Sequence, residues 1–137
     1  MTTGSPVRTG AETVELFFRS MTDMDLEAVL SVLHPDIEII EPDSLPYGGR
    51  HKGIGAFQRD LLAVMLAKAD LAIETTRVLD AGEAIVGHIS ATLTSRATGE
   101  KLPVEFVEIY EVVDGRIRHV DVYPKDTKRL ADFLEAA

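Results

Sequence analysis

The chain contains no cysteine, which excludes disulfides, thiolate metal sites and cysteine nucleophiles and leaves His, carboxylate, Tyr and hydroxyl groups as its catalytic repertoire. It is also short of cations. Fourteen Lys and Arg against 23 Asp and Glu give a formal net charge of -9, and no basic run interleaved with aromatics offsets it. Neither nucleic acid nor an anionic membrane surface is therefore an expected partner. No apolar run approaches the ~20 residues that cross a bilayer, and the opening Met-Thr-Thr-Gly-Ser-Pro lacks the basic start and apolar stretch of a secretory signal. A cytoplasmic location is the expectation. His34, His51, His88 and His119 are widely spaced, with no His-x-His or His-x-x-x-His among them, so neither a metal nor another cofactor is implied. Gly48-Gly49 and Gly53 to Gly55 match neither a P-loop nor a dinucleotide fingerprint.

What is there is an ordinary globular composition. With 137 residues, 45% of them hydrophobic and 27% charged, the chain can bury one core. Residues 1–8 read as a flexible tail and 9–137 as a single domain. Thr9 and Glu12 have capping-box spacing, followed by an apolar stripe at Val14, Phe17, Phe18 and Met21. Leu26, Val29, Leu30 and Leu33 repeat the pattern for a second helix that His34-Pro35 ends. Ile37, Ile39 and Ile40 make a short strand that stops at Glu41-Pro42, and the Pro- and Gly-rich stretch to about Lys52 reads as a loop. A third helix carries Ile54, Phe57, Leu61 and Met65 to about Lys68.

Four long strands are then predicted, over 71–79, 84–96, 102–113 and 116–123, with Asp114-Gly115 as a tight hairpin turn. Asp126 caps a closing helix with Leu130, Phe133 and Leu134 on one face. Helices first and hairpin-linked strands after them define an α+β class with antiparallel pairing.

The most informative stretch is Val104 to Val112, because side chains alternate faces along a strand. Glu108 shares its face with Val104, Phe106, Tyr110 and Val112 and is the only ionisable carboxylate in that apolar stripe. Such a group either keeps its proton or finds a specific partner, which marks a candidate site. Glu41 ends a strand where the chain turns into the loop, a common position for catalytic side chains. His88 shares a face with Val86, Ser90 and Thr92, the more polar side of its strand.

With Asp25-Leu26-Glu27, Glu41-Pro42, Gly53-Ile54-Gly55-Ala56-Phe57 and Asp114-Gly115-Arg116-Ile117 in this order, the chain resembles the nuclear transport factor 2-like superfamily. Its SnoaL-like and ketosteroid-isomerase-like members are the nearest in pattern. The resemblance implies a cone-shaped fold, a curved antiparallel sheet packed with N-terminal helices around an internal cavity, and a homodimer joined through the sheet. Matched to the isomerases, Glu41 falls on the proton-shuttling carboxylate and Glu108 on the oxyanion-stabilising acid. Phe17 stands where those enzymes have a tyrosine donor and Gln58 where a supporting tyrosine would be. Val122 takes the place of an Asp that limonene epoxide hydrolases use. The same register turns Val86 and His88 toward the cavity, against the alternation reading, so both placements of His88 stay open and it is kept as a candidate catalytic residue.

Two functions follow as expectations. One is a cofactor-independent isomerase, cyclase, dehydratase or hydrolase acting on a small apolar metabolite, with Glu41 as base and a protonated Glu108 as hydrogen-bond donor. Phe17, Tyr47, Phe57, Phe106 and Tyr110 would line its pocket. The other is a non-catalytic ligand-binding or dimerisation module of the same fold.

Overall fold

In a computed structural model, which describes residues 7–137, the first helix begins at a reciprocal cap. The Thr9 hydroxyl accepts from the Glu12 N–H at 3.1 Å and the Glu12 carboxylate accepts from the Thr9 N–H at 2.8 Å, which starts α1 (Gly10–Thr22). Val14 and Phe18 on its apolar stripe are buried, with Phe17 and Met21 packed beside them. The expectation for residues 1–6 lies outside the described residues, whereas Arg8 donates from Nη2 to the Gly115 carbonyl at 2.9 Å.

The second helix, α2 (Leu26–Ser31), is shorter than its spacing predicts. Leu33 continues the helical repeat in sequence but opens strand β1 (Leu33–Glu41), which takes in His34-Pro35 as well. A sheet contact replaces the next helical turn: the Val32 carbonyl accepts from the Ile117 N–H at 2.8 Å, and Leu33 pairs with Ile117.

Beyond β1, Pro42 to Gly48 forms two successive turns, with Leu45 N–H donating to the Pro42 carbonyl and Gly48 N–H to the Leu45 carbonyl. A side chain at Gly48 would put its Cβ 2.4 Å from the Pro42 oxygen, so only glycine fits the second turn. The stretch expected to be loop up to Lys52 then ends in a strand, β2 (Gly49–Lys52), antiparallel to β1. Gly-Arg-His-Lys has no apolar alternation, and the strand exists because the edge of β1 offers backbone partners.

The third helical region is not uniform. α3 (Ile54–Ala56) passes into a π-helical stretch (Phe57–Leu62) and then α4 (Ala63–Lys68). The wider turn brings Phe57, Leu61 and Leu62 all to the buried side. Strands β3 (Ala69–Asp80), β4 (Ile85–Ser95), β5 (Lys101–Val113) and β6 (Arg116–Pro124) follow, each within two residues of its expected bounds. Asp114 and Gly115 take φ of 53° and 72° to close the β5–β6 hairpin. Asp126 accepts from the Arg129 N–H at 3.0 Å at the start of α5 (Thr127–Ala136).

All six strands make one sheet, in the order β2-β1-β6-β5-β4-β3. Neighbours are antiparallel except β1 and β6, which run parallel, a correction to the wholly antiparallel expectation. No hairpin joins those two strands, so apolar pairing of Leu33 with Ile117 and of Ile39 with Val120 sets their direction and register. Register shifts between Ile73 and Thr75 and between Glu111 and Val112 bend the sheet. Helices cover one of its faces, giving an α+β fold with a curved, open sheet. No helix of the described residues is long and apolar enough to cross a membrane.

Candidate active site

Strand alternation decides which side chains meet the helices. On β5, Phe106, Glu108 and Tyr110 point to the covered face, where Glu108 stands opposite Gly87 of β4 and Val122 of β6. On β1, Glu41 shares the face of Ile39, the partner of Val120. A cavity of about 100 Å³ lies between this face, α1 and the helical stretch from Phe57 to Met65. Phe17, Phe18, Tyr47, Phe57 and Phe106 form its aromatic wall, and Met, Leu, Ile and Val side chains complete it. Of all the lining side chains, only Glu41, Glu108 and Tyr47 carry a polar atom, and none is a cation.

The two carboxyls have unequal surroundings. Glu41 is 8% exposed and its Oε1 has no hydrogen-bond partner. Burial, with the neighbouring Glu108 charge adding to it, raises its pKa well above the usual carboxyl range. Glu108 is half-buried and lines the cavity. Burial pushes it up to about 7, against the opposing effect of a hydrogen bond that the Tyr110 hydroxyl donates to its Oε1. Burial and the two carboxyls also hold the Tyr47 and Tyr110 hydroxyls protonated.

Tyr110 lies beneath the cavity wall. It is 1% exposed, with Phe17 and Phe18 packed against its ring at centroid distances of 6.2 and 5.9 Å, both edge-on. Gly87 makes that packing possible. A Cβ there would lie 2.4 Å from Phe18 Cζ and 3.1 Å from Tyr110 Cε2.

Of the residues singled out in the sequence, Glu41, Glu108, Phe17, Tyr47, Phe57 and Phe106 surround one cavity. Tyr110, expected in the lining, sits under it and reaches it through Glu108. His88 is the clear departure. Ile89 lines the cavity and Gly87 abuts Phe18, so the intervening His88 points to the opposite face, as alternation predicts and the isomerase register does not. There its Nε2 lies 3.2 Å from Glu105 Oε1, with the side chain 41% exposed. His51 is buried with Nε2 2.7 Å from the Tyr47 carbonyl, where it braces the turn that carries Tyr47. Sequence reasoning missed the wall contributed by Leu62 and Ile89, and the hydroxyl of Tyr110 as a partner of Glu108. The two-residue spacing of Glu108 and Tyr110 was the available signal for the latter. Among the described residues no group of three or more His, Asp or Glu side chains is placed to hold a metal ion.

A curved, open sheet with helices on one face is the architecture this chain shares with nuclear transport factor 2-like folds. Within it, the chain belongs to the SnoaL-like domain family, whose model matches residues 14–120. A nuclear transport factor 2-like protein from Burkholderia thailandensis E264 superposes with a TM-score of 0.84 at 22% identity, over 93% of this chain and 98% of its own. TerC, co-crystallised with polyporic acid, is similar at a TM-score of 0.79 and 22% identity, over 90% of this chain and 96% of its own. A protein described as a candidate polyketide cyclase from Pseudomonas putida KT2440 superposes at 0.78 with 16% identity, over 91% and 97% of the two chains. No curated protein matches the chain significantly.

Proposed function

We propose that the protein is a cofactor-independent acid–base enzyme of the SnoaL-like type, acting on a small, apolar, carbonyl-bearing metabolite. The observation that supports this most is the pairing of two carboxyls in one apolar cavity with unequal surroundings. Two like charges in such a place cannot both form cheaply, so one group keeps its proton while the other ionises. Glu41, whose buried Oε1 has no donor to stabilise the anion and whose pKa burial raises, is the acid. Glu108, titrating at about 7, is the base. These roles are the reverse of those implied by the isomerase resemblance.

In this reading Glu108 takes a proton from the carbon beside a carbonyl while Glu41 donates its proton, or a hydrogen bond, to the carbonyl oxygen. The resulting enol takes the proton back from Glu108 at another carbon in an isomerisation, attacks a second carbonyl whose oxygen takes the Glu108 proton in a cyclisation, or expels a hydroxyl that leaves as water with the Glu108 proton in a dehydration; in each case the enol O–H proton returns to Glu41. The polyporic acid complex of TerC and the cyclase description of the Pseudomonas protein support a ring-bearing organic ligand. The cavity's volume of about 100 Å³ is smaller than the ~150 Å³ of an engineered apolar cavity that holds benzene, so in this reading a ring-bearing ligand enters only as the lining side chains move apart.

The test is solvent deuterium exchange into a panel of cyclic enones and 1,3-diketones, followed by proton NMR. The protein is expected to catalyse exchange at the carbon beside the carbonyl, and Glu108→Gln to slow it by roughly 10²–10⁴. Binding of panel members without exchange would support a ligand-binding module instead. That second reading draws on Phe17, which leaves the α1 side of the cavity without a hydroxyl donor.

The expected partner is a second copy of the chain. Val107, Ile109 and Tyr123 are 38%, 36% and 54% exposed on the uncovered face, where His88 pairs with Val107 and Val107 with Tyr123 across neighbouring strands. Sedimentation equilibrium is expected to give a dimer that Val107→Asp dissociates. A monomer at tens of micromolar would end this part of the reading.

A further inference from the structure

We infer that Tyr110 is a positioning residue that fixes the Glu108 carboxyl by one oxygen, so that Oε2 is the atom that meets the bound molecule. The inference rests on the reading of Glu108 as the base.

Glu108 and Tyr110 are two residues apart on β5 and therefore neighbours on one face. The Tyr110 hydroxyl donates to Glu108 Oε1, and no hydrogen bond to Oε2 is formed among the described residues. The donor itself is immobilised. Two rings of α1, Phe17 and Phe18, hold the tyrosine edge-on, and the bare backbone of Gly87 lets Phe18 come close enough to do so. Gly87 is also the residue directly across the sheet from Glu108. The glycine, the two phenylalanines and the tyrosine thus form one packed unit whose only polar output is a hydroxyl aimed at the carboxyl.

A carboxyl on a glutamate rotates broadly about its last torsion. Tying one oxygen removes that freedom and holds the other oxygen toward the cavity before any ligand arrives, which is the form of preorganisation that acid–base chemistry rewards. A hydroxyl donor also favours the charged form of the carboxyl it touches. Tyr110 does not supply a proton itself, because burial and the adjacent Glu108 hold its hydroxyl protonated well beyond the usual phenol range. The other polar groups facing the site are Glu41 from β1 and Tyr47 from the turn after it, while α1 and the Phe57–Met65 stretch contribute only apolar side chains.

The experiment is carboxyl carbon-13 NMR on protein labelled at the glutamate side chains, with the Glu108 resonance assigned by its loss in Glu108→Gln. In Tyr110→Phe the Glu108 midpoint should rise by about one pH unit, as expected for losing one hydrogen bond to a charged group. A purely structural tyrosine would change the melting temperature and leave the midpoint in place. Site-specific 3-fluorotyrosine at position 110, a stronger donor of nearly the same shape, should lower the midpoint, and this keeps the test open if the phenylalanine variant does not fold. An unmoved midpoint in a folded variant overturns the inference even if deuterium exchange is found in the parent protein. A moved midpoint without exchange supports the positioning role while removing the enzyme reading.

Discussion

Strand β1 carries Glu38 and Glu41, and β5 carries Glu105, Glu108 and Glu111 at the same three-residue interval, so Glu38 and Glu41, like Glu105 and Glu108, fall on opposite faces of the sheet. On the uncovered face, Glu38 meets Arg50 at 2.7 Å and Glu105 meets Lys125 at 3.1 Å. Those cations hold both carboxyls below their usual range, the Arg50 and Lys125 hydrogen bonds being the main causes. On the covered face, Glu41 and Glu108 meet aromatic and aliphatic side chains, and burial raises both. The same residue type on the same strand is thus a solvated anion on one side and a proton store on the other. The difference between the two pairs comes from the face, since no Lys or Arg lines the inner cavity among the described residues.

The sharpest way to break this contrast is by pH. A carboxyl whose folded pKa is raised favours folding while it is protonated, and that contribution is lost as pH rises from the ordinary value near 4.5 through the folded value. For Glu108, with a folded value of about 7, the loss amounts to about 3 kcal/mol and falls mainly between pH 5 and 8. Glu41, raised in the same direction, adds to the loss. Urea denaturation at steps across that window should show falling stability, and Glu108→Gln should flatten the slope; a curve that rises with pH would contradict the assignment. A smaller effect follows from Gly87→Ala, whose Cβ would press into Phe18. It should cost about 1–3 kcal/mol by denaturation, and a neutral result would mean the Phe18–Tyr110 packing is looser than described. The least effect is expected at the outer face. Glu105→Gln removes an exposed ion pair of a kind that contributes little, so its denaturation curve should overlay that of the parent protein at pH 7.

Much of this was legible in the sequence, for reasons that can be named. Alternation along β5 isolated Glu108 as the one acid in an apolar stripe, and the same alternation placed His88 correctly where the family-based register did not. The capping box at Thr9, the hairpin at Asp114-Gly115 and the cap at Asp126 were readable because each is a local device. What was hidden depended on distant partners. β2 has no pattern of its own and forms only against β1, Leu33 obeys a helical spacing yet is claimed by Ile117, and β1 lies parallel to β6 with no turn to announce it. Likewise, the unequal states of Glu41 and Glu108 could not be read from β1 or β5 alone. They depend on one orphaned oxygen and one tyrosine hydroxyl, which only the packed structure brings together.

The most direct measurement is a pH titration of the glutamate carboxyls in the intact protein by carbon-13 NMR. Glu108 should titrate near pH 7 and Glu41 well above the usual carboxyl range, while Glu38 and Glu105 titrate below it. If all four changed ionisation together in the ordinary range around pH 4 to 5, the inner face would be as wet as the outer one, and the proposed acid–base pair would have no physical basis.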